Sequence, residues 1–156
     1  MVNFGSITSQ QAWAVDLSGV SGGQSLISVS NFGTLIGGTG AYRGSANADS
    51  LTNRGTMLGD VEMGTGNDKL DNRGGTIAGA INLGDGDDTM FLGASVEVAN
   101  GGAGIKDAID VTNGAGGVID LTNEGLGTDL ALGDILTGFE RVYGSKSGVD
   151  TVYGNT

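Results

Sequence analysis

The chain has 156 residues, 18 of them acidic against 7 basic, for a formal net charge of −11; glycine occurs 32 times and proline, cysteine and histidine not at all. The charge excludes nucleic acid and anionic membrane surfaces, because phosphate binding needs clustered Lys and Arg. Without cysteine there is no disulfide or thiolate metal site, and without histidine no Ser-His-Asp triad and no histidine base.

Along the chain, the N-terminal stretch "MVNFGSITSQQAWAVDLSGV" has no basic segment followed by an apolar one, so no signal peptide is expected. No apolar run approaches the ~20 residues of a membrane helix, and membrane insertion is not expected. The chain reads as an excised fragment or as one exported without cleavage. Apolar residues make up 38% of it, in short runs such as "SLISV" (25–29), "GAINL" (79–83) and "GVIDL" (117–121). Runs of that length, bounded by Gly, Asn and Asp, read as strands between tight turns rather than as a glycine-rich linker.

A repeat organises these runs. Four elements offer Asn, then Gly, then an apolar residue: "NFGSI" (3–7), "NFGTL" (31–35), "NRGTM" (53–57) and "NRGGTI" (72–77). In phase with them, an aspartate precedes an apolar residue by two positions at Asp49/Leu51, Asp68/Leu70, Asp88/Met90, Asp107/Ile109 and Asp150/Val152, with Asp129 in "GLGTDLAL" between the last two. The intervals are 68−49 = 19, 88−68 = 20, 107−88 = 19, 129−107 = 22 and 150−129 = 21. Glycines interrupt any 3.6-residue periodicity, so helical repeats are excluded. A period near twenty suits a coil of two or three short strands, stacked on its neighbours at the ~4.8 Å strand spacing. The fold expected is an all-β parallel β-solenoid of six or seven coils, one domain over 1–156. Leu51, Leu70, Met90, Ile109 and Val152 would form one interior ladder. Asparagines can ladder with one another at such spacing, whereas stacked carboxylates repel, and a cation between coils removes that repulsion.

"GTGNDKLD" (64–71) and "GDGDDTMF" (84–91) resemble the RTX (repeats-in-toxin) nonapeptide G-G-x-G-x-D-x-U-x from its second position onward, with Met63 and Leu83 in place of the first glycine. The region from Gly101 to Asn155 resembles the flank that follows RTX arrays, with Lys106 inserted before Asp107. Residues 1–48, through their asparagine elements, resemble coils of autotransporter and large-adhesin β-helices; residues 49–156 resemble RTX coils. The RTX resemblance implies calcium held between adjacent coils by Gly64, Gly66 and Asp68 together with Gly84, Gly86 and Asp88. Asp85 and Asp87, as intervening positions, and Asp107 and Asp129, whose glycines are displaced or missing, form a secondary set. One motif per coil implies calcium along one edge only.

Other patterns have simpler readings. The Asn-Gly elements read as turns. Trp13, Tyr42, Tyr143 and Tyr153 are too scattered for a carbohydrate-stacking platform and read as packing residues. Arg54 and Arg73, 73−54 = 19 apart, read as partners of Asp71 or Glu62 rather than as an anion-binding stripe. Lys69, Lys106 and Lys146 are not grouped as a catalytic base would require, so no enzyme is expected. The function expected is that of an extracellular or cell-surface calcium-binding structural or adhesive segment, a rigid spacer or self-associating element. Its partners would be calcium, a second copy of itself or cell-surface glycans. The alternatives are a calcium-binding accessory module of a polysaccharide-modifying enzyme and a surface-layer or filament subunit.

Overall fold

The computed structural model describes residues 1–21, 26–93, 95–112, 118–121, 134–146 and 149–153. Among these there is no helix, and every strand pair is parallel. Each coil contributes one short strand to each of up to three sheets. Sheet A runs β1 (Val2–Asn3), β4 (Ile27–Asn31), β7 (Asp49–Asn53), β10 (Lys69–Asp71), β13 (Thr89–Phe91), β15 (Ala108–Asp110) and β18 (Arg141–Tyr143). Sheet B stacks β2 (Ser6–Ser9), β5 (Thr34–Gly37), β8 (Thr56–Leu58) and β11 (Thr76–Ala78). Sheet C stacks β3 (Trp13–Asp16), β6 (Gly40–Arg43), β9 (Val61–Glu62), β12 (Ala80–Asn82), β14 (Val98–Asn100) and β17 (Ile135–Thr137). A separate pair joins β16 (Val118–Asp120) to β19 (Thr151–Tyr153). This is the parallel solenoid the repeat calls for.

The interior is a set of apolar columns, one per sheet, because a strand of three to five residues points only alternate side chains inward. In sheet A the register runs Val29, Leu51, Leu70, Met90, Ile109, Val142. Sheet B supplies Ile7, Leu35, Met57 and Ile77. Sheet C supplies Val15, Tyr42, Val61, Ile81, Ala99 and Leu136. Leu51, Leu70, Met90 and Ile109 are fully buried in the order expected. Val152 is not in this ladder. It pairs with Ile119 in the separate two-stranded sheet, and Val142 takes the rung after Ile109. Met63 and Leu83, which replace the first glycine of the nonapeptide, are also wholly buried. They fill the interior just past β9 and β12, where a glycine would leave a void.

Two corners carry stacked polar side chains. At the corner after sheet A, Asn3, Asn31, Asn53 and Asn72 form a ladder: each Nδ2 donates to the next Oδ1, at 2.8, 2.9 and 2.8 Å. The same amides reach the backbone of their own and neighbouring turns, for example Asn53 Nδ2 to the Thr76 carbonyl at 3.2 Å and Gly55 N–H to Asn53 Oδ1 at 3.2 Å. The asparagines are therefore turn residues and ladder rungs together.

Candidate cation-binding column

The second corner, between sheets C and A, holds the aspartates. Each sits immediately before its sheet A strand or opens it, and from Asp68 onward the carboxylate reaches back one coil. Asp49 N–H donates to Asp68 Oδ1 at 2.7 Å, Asp68 N–H to Asp88 Oδ1 at 2.7 Å, Asp88 N–H to Asp107 Oδ1 at 2.8 Å, and Asp107 N–H to Glu140 Oε2 at 2.9 Å. One oxygen each of Asp68, Asp88, Asp107 and Glu140 is thus committed to the backbone of the coil before it.

The other oxygen is not. Asp68 Oδ2, Asp88 Oδ2 and Asp107 Oδ2 are buried and accept no hydrogen bond. Asp49, at the N-terminal end, is satisfied differently: Ser45 N–H donates to its Oδ2 at 2.6 Å, and the Ser45 hydroxyl lies 3.3 Å from its Oδ1. Burial pushes the Asp68 carboxyl up to about 8, with the negative charges of Asp88 and Asp49 adding to it. Burial pushes Asp88 up to about 6, reinforced by Asp107, Asp87 and Asp85. Asp107 is raised for the same reason, with Glu140 and Asp87 as its acidic neighbours. A buried anion without a counter-charge is costly, and a proton or a cation removes that cost.

Beside the column, the glycine loops stack in register, Thr65 on Asp85 and Asp85 on Ala103. Gly64, Gly66, Gly84 and Gly86 all have positive φ (109°, 122°, 104° and 136°), which a side chain would strain. They also lie against backbone: a Cβ on Gly84 would strike the Gly64 carbonyl, and one on Gly86 the Gly66 carbonyl. The loop Gly102-Ala103-Gly104 continues the same frame. Lys106 is therefore an extra residue at the loop tip and does not displace Asp107 from the column. Its ammonium lies 3.6 Å from Asp87 Oδ2 at the surface.

Gly104 shows how closely this frame is packed. At the point where its Cβ would stand, Asp107 Oδ2 is 2.6 Å away, Asp107 Oδ1 2.7 Å, and the Gly86 carbonyl oxygen is nearer still. Gly104 is thus held to glycine by close packing against Asp107 and the Gly86 carbonyl. The carboxylate oxygens of the column and the backbone carbonyls of its loops are the kind of oxygen donors a hard cation of the calcium type takes. Among the described residues no three acidic side chains group around one point, so any such ion would depend on backbone carbonyls for part of its shell.

The structure thus brings Asp68, Asp88 and Asp107 into one column, with Gly64, Gly66, Gly84 and Gly86 in the loops beside it. Asp85 and Asp87 are on the same loops but less buried, with Asp87 Oδ1 3.5 Å from the Ile105 N–H. Asp129 lies outside the described residues. Asp150 Oδ2 accepts from Ser145 N–H at 2.6 Å, as Asp49 Oδ2 does from Ser45, but Asp150 Oδ1 is buried without a partner; the residue stands apart from the column next to β19. The sequence reading did not include Gly104 or Glu140. Glu140-Arg141-Val142 has the same acid-x-apolar spacing as Asp107-Ala108-Ile109, and that signal was available with glutamate admitted beside aspartate.

On the outer face of sheet A, Arg54 and Arg73 both clamp Asp71, with Nη2–Oδ2 distances of 2.8 and 2.7 Å. Burial alone would raise Asp71; the hydrogen bonds from Arg73 and Arg54 overcome it and hold its carboxyl well below the usual range. The aromatics do not form one platform: Tyr42 is buried in sheet C, Trp13 is at its edge strand, and Tyr143 and Tyr153 are on different sheets. Compared with known protein families, with characterised proteins and with solved structures, the chain finds no match in any of the three.

Proposed function

We propose that the chain is a calcium-stiffened structural segment of an extracellular or cell-surface protein of the RTX or adhesin kind, a rigid β-solenoid element rather than a catalyst. The observation that carries this reading is the run of three buried aspartates, Asp68, Asp88 and Asp107, one coil apart, each with one oxygen bound to the preceding coil and one without a partner. Asp68, Asp88, Asp107 and the carbonyls of the stacked glycine loops would hold the ions, and the ions would supply the missing counter-charge between coils. Folding and binding are then linked. At ~1 mM calcium and a Kd of about 10 µM, the stabilisation is roughly 2.7 kcal/mol. Such linkage suits a chain that is exported unfolded and meets calcium outside the cell.

Thermal melts in calcium and in chelator test the proposal. Asp68→Ala and Asp88→Ala should each lose most of the calcium-dependent shift, and Asp150→Ala, off the column, should keep it. Equal melting temperatures with and without calcium would sink the reading.

A further inference from the structure

The asparagine ladder cannot continue past Asn72, because Leu92 follows Phe91 where Asn72 follows Asp71 in the register of β10 and β13. Another side chain takes over. Glu97, just before β14, brings its Oε1 to Asn72 Nδ2 at 2.7 Å, and the same oxygen accepts from Gly93 N–H at 3.1 Å and from the Ser95 hydroxyl at 3.2 Å. Gly93 N–H bonds Glu97 here as Gly55 N–H bonds Asn53 two ladder positions earlier. Glu97 therefore replaces the absent asparagine as acceptor.

Its own neighbour is a second acid. Val98 pairs with Ile135, so Asp134 stands one coil beyond Glu97, and Glu97 N–H donates to Asp134 Oδ1 at 2.7 Å. Glu97 is 1% exposed and Asp134 0%. Glu97 Oε2 and Asp134 Oδ2 are both buried without a hydrogen-bond partner, and the two side chains are within hydrogen-bonding reach of one another. Of the groups that face Glu97 among the described residues, Asn72, Gly93 and Ser95 are neutral and Asp134 alone is ionisable. Among the described residues neither acid has a Lys or Arg partner, and no third acid joins them. A metal ion of the calcium type needs six or more oxygens, whereas a proton needs only two.

We propose that Glu97 and Asp134 bind one proton between them, forming a buried carboxyl–carboxylate pair that closes the asparagine ladder and fastens the last coils of sheet C in a pH-sensitive way. One O–H between Glu97 Oε2 and Asp134 Oδ2 satisfies both orphaned oxygens and removes one of the two buried charges. Burial raises both carboxyls, Asp134 to about 7, with the charge of Glu97 adding to it. The unfolded chain releases these protons in the ordinary carboxylate range. The folded chain holds one longer, so stability falls as pH rises from that range and goes on falling until the shared proton leaves.

The chain contains only four glutamates, Glu62, Glu97, Glu124 and Glu140. Carbon-13 labelling of the glutamate carboxyls of the full chain therefore reports on Glu97 with the aspartates silent. The expected result is a Glu97 titration step displaced above the ordinary carboxylate range, assigned by Glu97→Gln. It should be absent in Asp134→Asn, where an amide N–H replaces the shared proton. Glu97 titrating in the ordinary range, or a step unmoved by Asp134→Asn, overturns the proposal. A step that shifts on adding chelator assigns the pair to a metal ion and overturns it too. In thermal melts, Glu97→Gln should become the more stable protein as pH rises above neutral, because its amide donates without titrating. A Gln variant that loses ground to the natural chain in alkali counts against the shared proton. Neither readout depends on calcium at the aspartate column.

Discussion

The two polar corners of the coil stack use the same geometry and reach opposite electrostatic outcomes. On one, Asn3, Asn31, Asn53 and Asn72 are stacked one coil apart; on the other, Asp49, Asp68, Asp88 and Asp107 are stacked at the same interval. An amide is donor and acceptor at once, so the asparagines satisfy one another rung by rung, and only the last, Asn72, turns to a different side chain, Glu97. A carboxylate only accepts. It can take a backbone N–H on one oxygen, but at Asp68, Asp88 and Asp107 the second oxygen finds no donor, and the column stays incomplete unless a cation or proton enters. Period alone does not distinguish a self-sufficient ladder from one that needs a ligand; the donor inventory of the side chain does.

Exchanging the two chemistries breaks the comparison most visibly at Asn53. Asn53→Ala removes the acceptor for Asn31 Nδ2 and the donor for Asn72 Oδ1 in a fully buried place. We expect a loss of about 3 kcal/mol by denaturant unfolding, with no dependence on calcium. The reverse exchange, Asp88→Asn, should behave oppositely. The variant should lose the roughly 2.7 kcal/mol calcium increment yet be about 1 kcal/mol more stable than the natural chain in chelator, since it removes a buried charge. Paired melts with and without calcium decide this, and a destabilised variant in chelator would contradict the account of the column. The smallest effect is outside both corners. Asp71, held by Arg54 and Arg73, has its carboxyl depressed after burial is overcome by those two hydrogen bonds. Its contribution is therefore present above the ordinary carboxylate range and lost as pH falls below it. Asp71→Asn should cost about 1 kcal/mol at neutral pH and nothing in strong acid, measured as the difference in melting temperature between the two proteins.

Much of this was legible from residue order. The interval between Asp49 and Asp107 fixed the stacking register of β7, β10, β13 and β15, and Leu51, Leu70, Met90 and Ile109 follow it position by position. The reading failed after Ile109. Asp129 and Asp150 keep a spacing near twenty, but the next rung of sheet A is Val142, 142−109 = 33 residues on. Spacing is only a proxy for register, and a longer coil keeps the register while losing the interval. Glu140 and Glu97 were missed because the repeat was read through aspartate and asparagine alone. Their role depends on a carboxylate at an inward corner position, which glutamate also reaches. Gly104 was discounted because Lys106 shifts the motif by one residue; the extra residue is absorbed at the loop tip, so the glycine keeps its place against the Gly86 carbonyl.

The aspartate column also has a direction. The carboxylates of Asp68, Asp88, Asp107 and Glu140 each hold the N–H of the coil before, and none holds the coil after. Each coil therefore inherits its corner from its C-terminal neighbour, and the effect of a lost aspartate appears one coil upstream of the residue changed. Damage at Asp88 bares the amide of Asp68, and damage at Asp107 bares that of Asp88, while the coil downstream keeps its own fastening. At the N-terminal end the fastening is local: Asp49 holds the Ser45 N–H in the loop that leads into its own strand, so its loss is felt in place rather than one coil upstream.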